Sequence, residues 1–256
     1  MKLAWLTDIH LNFLDDAQVK GFISTVKADK ILISGDISTS KKLLKHLDYF
    51  ELPTYFVLGN HDFYHSSIQD VTDDLAKYLE EHKNLKWLTY EEPIELDADN
   101  VLIGHDGWAD GRFGDYFKSD IELNDYYLIR EFTHGKTHRL HIMHELGDLS
   151  AQYIGKRLKK IIGQYNNIWV VTHAPPFKEA GWHKGEIQDD NWAPHFTNKA
   201  MGDVLLNYMQ AYPEKNMTVL CGHTHGGGAC SPLPNIKVYT GEAKYYQPQI
   251  QRYFEI

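Results

Sequence analysis

The sequence predicts an α/β fold built around a mainly parallel β-sheet. Two observations carry that prediction. Short apolar runs alternate with stretches of helical spacing, first in one half of the chain and again in the other, which is the rhythm of βαβ units. Most of the clearest runs are followed at once by Asp, His, Asn or Gly, as expected where open parallel sheets gather ligands outside the carboxyl ends of their strands.

In order, residues 3–6 read as a strand and 15–27 as a helix. Residues 31–33 form a second strand, and 43–50 a helix with apolar positions at Leu43, Leu44, Leu47 and Phe50. Residues 55–58 are a third strand and 71–79 a third helix. Runs at 85–88, 94–96 and 101–103 are strand-like without intervening helices, so they either extend the sheet antiparallel or begin a second one. Further on, 146–162 is a long amphipathic helix, 168–171 a strand, 201–209 a helix, and 219–220 and 238–239 strands. Residues 104–135 are aromatic and rich in Gly and Asp, and are expected to be a functional loop. The expected organisation is one domain over 1–256 with a loop-rich insertion around 104–145.

A chain of 256 residues buries a full core without disulfide or metal staples. Its formal net charge of −9 and its lack of a Lys/Arg stripe disfavour a nucleic-acid partner. Cys221 and Cys230 stand in no CxxC pair, so they are expected to be reduced thiols of a cytoplasmic protein. The first apolar run meets Asp8 too soon for a signal peptide, and no segment approaches the length of a membrane span.

The strand ends carry the chemistry. They deliver Asp8-Ile9-His10, Gly35-Asp36, Gly59-Asn60-His61-Asp62, His173 and Gly222-His223-Thr224-His225. Side chains two apart in extended backbone share a face, so Asp8 with His10, and His223 with His225, can grip one ion; past the strand end a turn must supply that geometry. Glycines at 35, 59 and 222 permit sharp turns and close approach. Asp, His and Asn without Cys suit Mn, Fe, Co, Ni or Zn, and so many imidazoles count against Mg.

This ordered set resembles the calcineurin-like metallophosphoesterase superfamily, with motifs running from Asp8 to His225. The resemblance implies a four-layer αββα sandwich, two mixed β-sheets with helices on the outer faces. It implies one divalent ion held by Asp8, His10, Asp36 and His225, and a second by Asp36, Asn60, His173 and His223, with Asp36 shared. His61 stays off the metals and protonates the leaving group. The expected activity is hydrolysis of a small-molecule phosphomonoester or phosphodiester by a metal-bridging hydroxide, with Asp36 and His61 as the catalytic pair. A nuclease of the same superfamily and a metal-free binding scaffold are the alternatives. Thr39 stands where purple acid phosphatases carry a metal-binding Tyr. Ile37-Ser38-Thr39 and Asp62 depart from the phosphoprotein phosphatase pattern, leaving the partner that orients His61 unidentified.

Three further features are weighed. His105, Asp106 and Arg112 lie in a Gly-punctuated loop and are candidates for substrate contact, with Arg112 able to fork onto a phosphate. Residues 179–195, with Trp182, His183, Trp192 and His195, are a candidate substrate wall. His134, His138, His141 and His144 match no structural zinc spacing and are expected at or near the surface.

Overall fold

The computed structural model describes residues 1–256. Its first sheet contains β1 (Lys2–Leu6), β2 (Lys30–Ser34), β3 (Thr54–Val57) and β4 (Leu85–Trp87), parallel neighbours in that order. The second contains β5 (Ile94–Glu95), β6 (Asn100–His105) and β7 (Asn167–Thr172). A two-stranded hairpin, β8 (Trp182–His183) with β9 (Glu186–Ile187), stands apart. The second sheet continues through β10 (Asn216–Cys221), β11 (Gly228–Cys230) and β12 (Ile236–Thr240), in the order β11-β12-β10-β7-β6-β5. The last strand, β13 (Arg252–Glu255), returns to pair antiparallel with β1.

Alternation along the strands explains how the sheets stack. Leu3 and Trp5, Leu32, Val57, Leu102, Trp169, Val171 and Leu220 pack between the two sheets. Their neighbours Ala4 and Leu6, Ile31 and Ile33, and Phe56 face the opposite way, into a core shared with α1 (Asp16–Ser24), α2 (Ser40–Leu47) and α3 (Ile68–Leu79). Val101 and Ile103, Ile168 and Val170, and Val219 face outward on the second sheet. They pack with residues of two later helices: Ile154 and Leu158 of one, Met201 and Leu205 of the other. Strands covered on both faces must be apolar at consecutive positions, so they read as continuous runs. The result is a four-layer αββα sandwich.

The run at 85–88 joins the first sheet parallel to β3, and the run at 101–103 belongs to the second, parallel to β7. The greatest difference from expectation lies in residues 104–145. They hold a short helix, α4 (Asp125–Leu128), and then α5 (Lys136–Ile161) begins ten residues before the expected 146. The buried face of its first turns is Arg139, Met143, Gly147 and Ser150, so no apolar stripe announces it. The histidine-rich stretch lies here, with His134, His138 and His141 exposed and His144 half-buried. Two more helices, α6 (Ala193–Phe196) and α7 (Lys199–Ala211), precede β10. Ser67 and Asn198 cap α3 and α7 through their side chains, and Asp15 with Gln18 closes a capping box on α1.

Asp106, just past β6, clamps the two sheets together. Its Oδ1 accepts from Leu58 N (2.7 Å), Trp87 Nε1 (2.7 Å) and Thr89 Oγ1 (2.8 Å), all in the first sheet or the turn after it. Burial pushes its carboxyl up to about 6. Removing this acceptor strands three buried donors, so Asp106→Ala is expected to cost about 3 kcal/mol or more of stability, read from a urea unfolding midpoint.

Candidate metal centre and cleft

The strand ends of both sheets meet at one edge of the sandwich. Their loops continue the ladder beyond the strands: Asp8 N donates to Gly35 O (3.0 Å), His10 N to Asp36 O (3.0 Å) and Gly222 N to His173 O (2.9 Å). Because β1 stops at Leu6 and β10 at Cys221, turns set the Asp8/His10 and His223/His225 pairs. Asp8, His10, Asp36, His223 and His225 all have positive φ, between 40° and 71°. Non-glycine residues held there cost about 1–3 kcal/mol each and cluster at functional sites. Two of the three glycines act through space rather than through φ. A Cβ on Gly59 would stand 2.1 Å from Asp36 Oδ1, and one on Gly222 2.0 Å from Asp8 Oδ2.

Asp8, His10, Asp36 and His225 bring one potential ligand atom each to within 4.8 Å of all the others. All but His225 are buried. His10 Nε2 faces His225 Nε2 at 3.0 Å, and His10 Nδ1 is buried with no partner. Burial raises both carboxyls, and their mutual repulsion leaves Asp36 well above the usual range. Asp8 ends below its usual range because the His225, His173 and His10 imidazoles face it. Burial also holds His10 neutral, at about 3, so its ring offers a lone pair.

The other side of Asp36 is built from Asn60, His173 and His223. His173 Nδ1 donates to the Ser34 carbonyl (2.8 Å), which leaves Nε2 as its lone-pair atom. That Nε2 lies 3.4 Å from Asp36 Oδ1 and 2.9 Å from Asn60 Oδ1. Asn60 spends its Nδ2 on Asp125 Oδ1 (2.7 Å), so its inward atom is the carbonyl oxygen. Two acceptors therefore face each other at hydrogen-bond distance with no proton to share, an arrangement a cation resolves. His223 Nε2 donates to the His195 carbonyl (3.2 Å), which frees its Nδ1. The two Asp36 oxygens divide between the sets: Oδ1 faces His173, and Oδ2 lies 3.8 Å from His10 Nε2 and 3.9 Å from His61 Nε2. The donor set fits two divalent ions.

His61 sits at the mouth. Its backbone N–H donates to Asp36 Oδ1 (2.9 Å), and its ring stacks on Tyr64 at 4.2 Å. Burial and the neighbouring imidazoles hold it neutral, at about 2. Asp62 does not orient it: that carboxylate accepts from Ile37 N, Ser38 N and Gly59 N and ties the Gly35 and Gly59 loops together. The cleft outside is about 180 Å³, and its walls include Tyr64, Asp125, His183, Phe196 and Tyr245.

The structure brings together all seven expected ligands and His61. It turns the side chains of His105, Asp106 and Arg112 away from them, Asp106 meeting His173 only through its backbone carbonyl (2.8 Å), and their expected substrate contact is corrected. His105 packs against Tyr153 and accepts from Gly107 N, Asp106 clamps the sheets, and Arg112 pairs with Asp110 (3.1 Å) and Asp148 (2.8 Å). A loop following a strand end can fold back on its own scaffold, which its composition does not reveal. In the 179–195 segment, His183 reaches the cleft, whereas His195 is buried between Ser119 Oγ and Tyr126 OH.

The sequence profile of the calcineurin-like phosphoesterase superfamily domain matches residues 1–172. The chain belongs to that superfamily. The profile spans Asp8 through His61 and stops one residue short of His173, so the remaining imidazoles are placed by the fold. Comparison with curated proteins gave no match. Among solved structures, a dimetal phosphatase from Danio rerio is similar at 12% identity and a TM-score of 0.59, with 94% of this chain and 87% of that one covered. The protein TT1561 of Thermus thermophilus is similar at 13% identity and a TM-score of 0.53, covering 94% and 88%. At these identities the likeness is one of fold.

Asp125 and Tyr245 escaped the sequence reading. Asp125 is buried, and its Oδ1 accepts from both Asn60 Nδ2 and Tyr64 OH, each at 2.7 Å. It thereby fixes which way Asn60 points. No local motif marks it, because its partners are over sixty residues away. Asp125→Ala is expected to weaken metal binding on the Asn60 side by about 10–100-fold, as lost outer-shell partners do. Asp125→Asn, which keeps an acceptor oxygen, is expected to restore most of that affinity; calorimetric titration with Mn²⁺ compares the two.

Proposed function

We propose that this member of the superfamily is a dinuclear metal-dependent phosphoesterase acting on a small-molecule phosphomonoester or phosphodiester. One observation carries the reading: beside Asp36, His173 Nε2 and Asn60 Oδ1 face one another as lone-pair atoms with no proton between them, next to the close cluster of Asp8, His10, Asp36 and His225. Asp8, His10, Asp36 and His225 hold one ion, and Asp36, Asn60, His173 and His223 hold the other. Imidazole-rich sets favour Mn, Fe, Co, Ni or Zn. Divalent ions there would offset the charge of a phosphoryl group and make water a nucleophile near neutral pH.

The protein's own side chains supply the rest. Asp36 fixes the spacing of the two sets. His61, held neutral by burial, offers its ring N–H to the leaving oxygen instead of arriving as a preformed imidazolium. The small cleft, the absence of Lys and Arg from its walls and the net charge of −9 support a small ester over a nucleic acid. No helix is long and apolar enough to cross a membrane. Both cysteines are free, which supports the cytoplasmic assignment.

After Mn²⁺ loading and desalting, elemental analysis is expected to find about two ions per chain, on the two-metal logic. Asp36→Asn is expected to lose more metal and more turnover than Asp8→Asn, because it touches both sets. A chain that retains no metal and cleaves no ester would overturn the enzyme reading.

His61→Ala is expected to keep both ions and lose about 10²–10⁴-fold in turnover. The loss should shrink for a nitrophenolate leaving group, which needs little help, relative to an alkoxide. Equal losses on both esters would reject the leaving-group role.

A further inference from the structure

The cleft beside the metal centre is lined by the rings of Tyr64, Phe196 and Tyr245 and by several imidazoles, together with Asp36 and Asp125, and by no Lys or Arg. From His10 outward, Tyr245 lies 4.8 Å away, Phe13 packs on Tyr245 at 4.9 Å, and Tyr246 packs on Phe13 at 5.0 Å. Successive planes in this chain are inclined by 52° to 57°, so the rings form an angled wall and do not stack shut. Tyr245 is 43% exposed and Tyr246 65% exposed, so each keeps part of its ring open to solvent. Tyr246 is held at φ 68°, outside the region a bulky side chain prefers. Its ring packs on Phe13, and strain of this kind clusters at sites of function.

The opposite wall has the same character. Phe196 packs on His223 at 4.7 Å and Trp192 on Phe196 at 5.6 Å, while His183 stacks on Trp192 at 5.8 Å. No Lys or Arg lines the cleft. Lys244, beside Tyr245 in sequence, pairs with Glu242 at 3.4 Å. Within the cleft a second phosphate on the substrate would thus meet no Lys or Arg, whereas a flat ring would meet the exposed edge and face of Tyr245.

We propose that Tyr245, Tyr246 and Phe13 form a subsite for a planar aromatic group, so that the ester cleaved carries a nucleobase or an aryl ring and a single phosphoryl group. This rests on the phosphoesterase reading, with the phosphoryl group at the metals and the ring on the wall. The aromatic faces offer stacking that tolerates different rings, while the cation-free walls disfavour polyphosphates.

The test compares esters of similar alkoxide leaving groups: adenosine 5′-monophosphate, benzyl phosphate and glycerol 3-phosphate, each also as its methyl diester, with Mn²⁺-loaded protein. The expected kcat/KM favours the ring-bearing esters by about 5- to 100-fold, the range one stacked ring supplies. Tyr246→Ala is expected to bring the ratio toward one, and Tyr246→Phe to preserve it. A preference for adenosine over benzyl assigns a nucleobase; parity assigns any flat ring. Equal kcat/KM for all three wild-type substrates, or a ratio that survives Tyr246→Ala, overturns the subsite. Calorimetric binding of the same monoesters separates the two readings. Tyr246-dependent binding of adenosine 5′-monophosphate without turnover would retain the subsite and fail the phosphoesterase reading. Binding no tighter than glycerol 3-phosphate would overturn the subsite whatever the turnover.

Discussion

The structure turns on placing one buried carboxylate, Asp36, against a second, Asp8. Desolvation and mutual repulsion both oppose this, and Asp36 is pushed well above its ordinary range as a result. Isolated, such a pair would be a liability in any core. Surrounded by imidazoles, of which His173 and His223 have their outer nitrogens committed to backbone carbonyls, it becomes a cradle for positive charge. Asn60 and His173 have the same logic: each has its donor anchored elsewhere, so each presents only a lone pair.

Much of the surrounding architecture serves that placement. Gly59 and Gly222 leave no Cβ where the two carboxylates must come. Left-handed backbone at Asp8, His10, Asp36, His223 and His225 turns each side chain back over the strand ends. Asp62 ties the Gly35 loop to the Gly59 loop, and Asp106 ties one sheet to the other. The rigid sandwich beneath fixes these loops, because its central strands are covered on both faces and cannot slip register without exposing apolar side chains.

The long connection between β6 and β7 contributes to the site. Residues 104–145 add little to the sheets, yet α4 supplies Asp125, which orients Asn60 and Tyr64. Tyr64 in turn stacks beneath His61. The C-terminal stretch before β13 brings Tyr245 and Tyr246 to the mouth from far along the chain.

What the sequence determined by itself was the alternation of strand and helix and the candidate ligands at the strand ends. Both are local: a strand buried on both faces must be an apolar run, and a residue just past it must lie at the sheet edge. So Asp8, His10, Asp36, Asn60, His173, His223 and His225 were legible from their places in the chain. Tertiary structure alone decided the rest. Asp125 and Tyr245 act on residues more than sixty positions away, with no periodicity or motif to announce them. His105, Asp106 and Arg112 carry suitable chemistry in a suitable loop, but hydrogen bonds and ion pairs turn them to the scaffold. The start of α5 was hidden because the fully buried positions of its first turns are Arg139, Met143, Gly147 and Ser150, only one of them a large apolar residue. Residue type and spacing report which faces are buried; which partner a polar side chain finds is set by distance in space.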